Sequence, residues 1–269
     1  MEVRCTEVSP LPPPRAAHAE PLAPGLWPSA GLIATYFALQ FVAGTLFALA
    51  VGAVVFFGHH GVAGLETAIG SVLQRPATQA LLAMFSLGVA APLTLWLVHR
   101  QWKPLWSLPR PPGFGFAAPR HPLFFALAVL AGLAAPVLGG LLTEWLAHGH
   151  TVTQDIRQLG GVTPLALRIP LVLVVVCLGP LLEELLFRGV LLSALLRRLH
   201  VGWAVAISSL LFALIHLPGL DYQWYAVPNL LLLALMLAGL RLYSASIWPC
   251  VLAHAVNNVL AVAVWFVVT

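Results

Sequence analysis

Glu183 and Glu184, followed by Arg188, lie in one of the most apolar stretches of this chain. Holding an ionisable group in hydrocarbon costs about 2.5–3.5 kcal/mol on insertion scales, so such groups face a cavity or a partner and mark function. Nine acidic residues are present, and Glu183 and Glu184 are the one acidic pair inside an apolar segment. The ten histidines sort the same way: only His216 and His254 fall within apolar segments. Carboxylates and imidazoles together suit proton transfer, as an acid–base catalyst or as a relay. Each residue also has a plainer reading. Glu184 and Arg188, at i,i+4, suit a structural ion pair. A lone intramembrane histidine suits packing, Asn258 suits a bridge between helices, and Phe212 suits the core. Those readings leave unexplained why all of them gather in the last third of the chain.

The elements that position them follow from helix geometry. If one helix runs to Leu199 and another rises from Gly202, Glu183 stands 16 residues before the turn and His216 stands 14 after it. At 1.5 Å per residue, both lie roughly 21–24 Å from the turn, level with each other. His254 and Asn258 share a helix face at i,i+4, as do Phe212 and His216. Glu183 and Glu184 point about 100° apart, so they do different jobs.

The chain has 269 residues, 60% hydrophobic and 8% charged. Long uncharged segments at about 29–57, 77–98, 122–147, 166–187, 201–217, 224–241 and 246–268 predict about seven membrane-spanning helices, within a range of six to eight. The fourth is expected to continue as one helix to Leu199. Residues 1–28 hold seven prolines and predict a flexible tail rather than a signal peptide. Residues 29–164 are expected to form the amino-terminal transmembrane helices, and 165–269 the transmembrane core that carries Glu183, His216 and His254. Cys5, Cys177 and Cys250 make no disulfide framework, and the latter two read as core residues. The net charge of +4 does not indicate nucleic acid, because the basic residues are scattered at segment ends. Arg4, Arg15, Arg100, Lys103, Arg110, Arg120, Arg197, Arg198 and Arg241 fall on one side; Arg75, Arg157 and Arg168 fall on the other. The positive-inside rule then puts the amino terminus in the cytoplasm.

Glu183-Glu184-x-x-x-Arg188, Phe212-x-x-x-His216 and His254-x-x-x-Asn258, in that order, resemble the three motifs of the CPBP intramembrane proteases. That family comprises the type II CAAX prenyl endopeptidases and the bacteriocin-processing or Abi proteins. The resemblance covers about residues 165–265. It implies an all-α polytopic bundle around a conical intramembrane active-site cavity, in a bacterial plasma membrane, and peptide-bond hydrolysis there. By the family's proposed mechanism, Glu183 is the general base, assisted by His216. His254 and Asn258 stabilise the oxyanion, and Arg188 holds Glu184 in a supporting pair. Pro180 and Gly179 just upstream would bend the helix and open the pocket.

Two catalytic chemistries stay open. Water is activated by the side chains alone, or a zinc ion sits on Glu183, His216 and His254, a donor set with an open position for water. Members of the family are often labelled metalloproteases, yet the HExxH pairing is absent here. No other cofactor is expected. The expected partners are membrane lipid and a peptide or protein substrate, lipidated at its carboxy terminus if it is of CAAX type. The alternatives are a non-catalytic immunity or scaffold protein of the same fold and a proton-coupled transporter. The lack of internal repeats disfavours the transporter.

Overall fold

The computed structural model describes residues 23–58, 64–150 and 155–267. Most of the expected tail, with Arg4, Cys5, Arg15 and His18, lies outside the described residues, as do His59 and His60. Among the described residues the structure is helical, with no strand. The helices are α1 (Leu26–Gly58), α2 (Leu65–Leu73), α3 (Pro76–Trp102), α4 (Leu123–Ala147), α5 (Asp155–Val162), α6 (Leu165–Leu173), α7 (Gly179–Glu184), α8 (Leu192–Leu196), α9 (Val201–Leu214), α10 (Val227–Ser244) and α11 (Trp248–Val267). Helices α6, α7 and α8 are parts of one run, Leu165–Leu196, joined by π-helical turns at Val174–Leu178 and Leu185–Leu191.

Six segments are long and apolar enough to cross a membrane: Leu26–Gly58, Pro76–Leu105, Leu123–Ala147, Leu165–Leu196, Trp224–Ser244 and Trp248–Phe266. The chain is an all-α polytopic bundle and an integral membrane protein. The seventh expected span is α9, whose helix has 14 residues, fewer than the ~20 of a typical crossing; with the turns after it, the segment reaches the end that holds α5. It ends where the chain turns through Pro218–Leu220 and enters α10. The fourth span is the single long helix expected, ending at Leu196.

Hydrogen bonds sort the connections into two ends. Arg197 donates through Nη1 to the carbonyls of Ala23 and Pro24 at 3.0 and 3.3 Å. The backbone N–H of Arg120 donates to the Ser244 carbonyl at 2.9 Å. One end therefore holds the start of α1, the 103–122 connection, the α8–α9 turn and the α10–α11 turn. The other end holds α2, α5 and the 218–226 turns. Arg100, Lys103, Arg110, Arg120, Arg197, Arg198 and Arg241 share the first end, hereafter the basic end.

That basic end is plugged. The 103–117 connection folds back into the bundle: Phe114 N–H donates to Leu105 O at 2.8 Å, and Phe116 N–H to Trp106 O at 3.1 Å. Leu105 and Phe114 are buried against the core around Leu185, Leu186 and Phe187. Arg241, read from sequence as a topology signal at a helix end, is fully buried. Its Nη1 and Nη2 donate to the carbonyls of Pro109 and Gly113 at 2.8 and 2.6 Å. Gly115 makes room for it, at φ +80°, where a Cβ would lie 2.8 Å from the Arg241 Cζ. Hydrogen bonds from a charged donor contribute about 1.5–3 kcal/mol each. Arg241→Met is thus expected to lower the thermal midpoint in detergent and expose the 103–117 segment to limited proteolysis. An unchanged proteolysis pattern would show that the plug does not depend on this clip.

Helix α4 lies across α10 and α11 at close range. A Cβ on Gly132 would sit 2.4 Å from the Ala253 carbonyl, and one on Gly139 would sit 1.8 Å from Asn229 Oδ1. Small residues let membrane helices approach in this way: Gly132 brings α4 against the α11 backbone beside His254, and Gly139 brings it against α10. Cys250 is buried as expected and donates to Leu237 O at 3.3 Å. Cys177 is exposed, a correction to its expected core position. Hydropathy cannot separate a lipid-facing residue from a core residue, because both surroundings are apolar.

Candidate functional site

The two π turns bracket the acidic pair. Each has a carbonyl that accepts a hydrogen bond from a neighbouring helix: Val175 O from Asn258 Nδ2 at 3.0 Å, and Phe187 O from Ser208 Oγ at 3.1 Å. Single π turns within α-helices recur at functional sites because they re-aim the side chains between them. Here the segment between them is Gly179–Glu184, which carries both glutamates.

Glu183 faces the bundle interior with its side chain 22% exposed. Its Oε2 lies 3.6 Å from His216 Nε2 and 3.7 Å from His254 Nε2. These separations exceed a direct hydrogen bond. Each ring is anchored through its other nitrogen: His216 Nδ1 to the Phe212 carbonyl at 2.8 Å, and His254 Nδ1 to Glu184 Oε1 at 2.9 Å. A nitrogen facing a carbonyl or carboxylate oxygen donates, so both Nδ1 atoms carry hydrogen and both Nε2 atoms turn to Glu183.

Glu184 points away from Glu183, as adjacency in a helix requires. It is fully buried and accepts a hydrogen bond from Arg188 Nη1 at 3.0 Å on the same Oε1 that meets His254. Arg188 Nη2 donates to the Ala234 carbonyl at 3.1 Å, which ties the pair to α10. The guanidinium lies over the Phe212 ring, 4.3 Å from its centroid, an arrangement in which the ring face attracts the cation. Phe212 also meets the rings of His216 and His254, at 4.7 and 5.7 Å. Glu184 Oε2 and Arg188 Nε are buried without a hydrogen-bond partner among the described residues.

The structure thus brings Glu183, His216 and His254 together and places Glu184 and Arg188 directly behind them. Asn258 is on the same cavity wall, with one amide hydrogen bonded to Val175. The cavity measures about 930 Å³. Glu183, Phe212, His216, His254 and Asn258 line it with apolar residues of α3, α4, α5 and α10. The donor types suit zinc, and both rings carry the oxygen anchors that ligating histidines have. Among the described residues, no group of three or more His, Cys, Asp or Glu is placed to hold a metal ion.

Residues 165–260 match the family model described as type II CAAX prenyl endopeptidase, Rce1-like. The match supports the CPBP family for this chain. At family level it indicates a CAAX-protease-like intramembrane endopeptidase, a hydrolase. No curated protein and no solved structure matches the chain.

The matched segment contains Glu183, Glu184, Arg188, His216, His254 and Asn258, whereas part of the cavity wall comes from outside it. Gln79 on α3 and Pro136 on α4 line the cavity. So do Asn229 and Asn257, within the segment. Asn257 donates to Asn258 Oδ1 at 3.2 Å. Sequence reasoning missed these three amides. Asn257 left a signal, as one of two adjacent asparagines in an apolar helix. Gln79 and Asn229 stand near helix starts and read as interfacial until the fold is known.

Proposed function

We propose that the protein is an intramembrane endopeptidase in which Glu183 activates water. The observation that carries this reading is one carboxylate flanked by two imidazole Nε2 atoms at 3.6 and 3.7 Å on the wall of a cavity inside the bundle. Glu183 takes a proton from water as the water oxygen attacks the scissile carbonyl carbon, and the carbonyl π pair moves to oxygen. His216, its Nε2 toward Glu183, orients the water. The resulting oxyanion meets Asn258, whose amide has a second hydrogen beyond the one given to Val175. His254 donates from Nε2 when its ring holds both protons. Glu183 and Glu184 against Arg188 leave the cluster with one uncompensated negative charge, which the imidazolium balances. The intermediate collapses with cleavage of the C–N bond, and the leaving nitrogen takes the proton from Glu183. Glu184 orients His254 through Nδ1 and does not touch the substrate.

The non-catalytic reading does not account for two anchored rings aimed at one carboxylate. A transporter reading needs a path to both ends, and no residue of the basic end lines the cavity among the described residues.

Cleavage of prenylated and unprenylated model peptides in detergent tests the proposal. Wild type is expected to cut at least one of them, and His216→Ala is expected to lose about 10²–10⁴-fold in rate. Equal rates for the two proteins would sink the assignment. A separate assay addresses zinc. Protein shown metal-free by elemental analysis is expected to keep full activity. Loss of activity restored by added zinc would overturn the metal-free mechanism.

A further inference from the structure

The Asn258 carboxamide is held on two sides. Its Nδ2 donates to the Val175 carbonyl at 3.0 Å, and its Oδ1 accepts from Asn257 Nδ2 at 3.2 Å. The first bond has its cause in the backbone. A carbonyl at position 175 meets the N–H of residue 179 in an α-helix and that of residue 180 in a π turn. Here the N–H of Gly179 donates to Val174 O instead, and residue 180 is proline, which has no N–H. Both backbone donors are therefore lost to Val175 O, and Asn258 supplies a side-chain one. The second π turn differs, because Phe187 O has the Leu192 N–H as well as Ser208 Oγ. A carbonyl only accepts, so Val175 requires the nitrogen of Asn258, while Asn257 holds the oxygen. One Nδ2 hydrogen remains, on a side chain that lines the cavity.

The geometry points to Pro180 and Asn257 as positioning residues that together fix which way round the Asn258 carboxamide sits. Asn257 acts by direct contact, and Pro180 acts through the carbonyl it leaves without a backbone donor. A carboxamide turned over about its last bond presents an oxygen lone pair where the free hydrogen had been. An oxyanion forming there would meet an acceptor in place of a donor. Two bonds of opposite polarity, one on each side of the amide, exclude that arrangement. The inference rests on the endopeptidase reading for the oxyanion, not for the orientation of the amide.

The chain has three asparagines, Asn229, Asn257 and Asn258. Full-length protein labelled with nitrogen-15 in its asparagine side chains therefore gives three carboxamide pairs by NMR in detergent. The Asn258 pair is the one lost in Asn258→Leu. Its two protons are expected to be well separated, one of them shifted downfield by the bond to Val175. Asn257→Leu frees the oxygen, and Pro180→Ala returns an N–H to Val175. In both variants the two Asn258 protons are expected to draw together, and a pair unchanged in either one overturns the inference. Pro180→Gly also restores the N–H and replaces Pro180→Ala should that variant fail to fold. Kinetics supply the second readout. Asn258→Leu is expected to lose about 10²–10³-fold in kcat, and Asn257→Leu about 10-fold with KM nearly unchanged. The double variant Asn257→Leu/Asn258→Leu is expected to be no slower than Asn258→Leu, because nothing remains to position. A further loss in the double variant, or a rise in KM alone, overturns the inference and makes Asn257 a structural or substrate contact. The spectrum does not require catalysis. Drawn-together protons in a protein that cuts no peptide would reject the endopeptidase reading and leave the amide's orientation established.

Discussion

Glu183→Gln is expected to abolish most peptide cleavage while leaving the protein folded. The substitution keeps the side chain's size and removes its capacity to take a proton. General bases contribute about 10²–10⁴-fold to rate, and a loss of that order is expected in kcat with KM nearly unchanged, since the amide still fills the same space. Stability should change little. Glu183 is partly exposed to the cavity, and its neighbours lie beyond direct hydrogen-bond distance, at 3.6 and 3.7 Å. The measurement is a steady-state assay alongside thermal unfolding in the same detergent. A variant with wild-type kcat would remove Glu183 from the chemistry.

Arg188→Met is expected to do the opposite, striking stability first. It strands the Glu184 carboxylate, which is fully buried and shares one oxygen between Arg188 and His254. Removing one partner of a buried pair costs about 3–5 kcal/mol, because the other charge is left uncompensated. The loss is compounded by the contact with the Ala234 carbonyl and by the stacking on Phe212. The double variant Glu184→Gln/Arg188→Met is expected to recover part of the loss, since it removes the stranded charge as well. Its activity should stay low, because His254 loses the carboxylate that fixes its Nδ1. Thermal midpoints for the wild type, both single variants and the double variant complete the cycle. If Arg188→Met melts with the wild type, the pair is not a structural support.

Much of this arrangement was legible in the sequence, for identifiable reasons. A pair of glutamates in hydrocarbon is conspicuous, and the 1.5 Å helical rise set Glu183 level with His216 before any coordinates were known. The i,i+4 spacing of Glu184 and Arg188 anticipated their ion pair. The separate orientations of Glu183 and Glu184 followed from adjacency. Other features left no trace in composition. Hydropathy ran the seventh segment to residue 217, because an apolar window does not show where the helix ends and the turns begin. Arg241 resembled any basic residue at a helix end, and its burial depends on a loop more than a hundred residues earlier in the chain. The Glu184–His254 contact joins residues 70 apart, at 2.9 Å. It draws on the position of α11 against α4, which the small residue Gly132 permits. Asn258 was expected to stabilise the oxyanion, and the structure shows its amide donating to the Val175 carbonyl.

The π turns have a consequence for how this helix tolerates change. Val174–Leu178 and Leu185–Leu191 decouple the bearing of Gly179–Glu184 from the rest of the run. The Leu185–Leu191 turn stays buried against the core while the glutamates keep a bearing of their own. Deleting a single residue in either stretch would leave a segment just as apolar and almost as long, still able to cross the bilayer. It would also swing one side of the run by about 100° relative to the other. The carboxylate that meets two imidazoles would then point at a neighbouring helix or at lipid. A span can thus be preserved by every measure of hydrophobicity while its chemistry is lost to one missing residue.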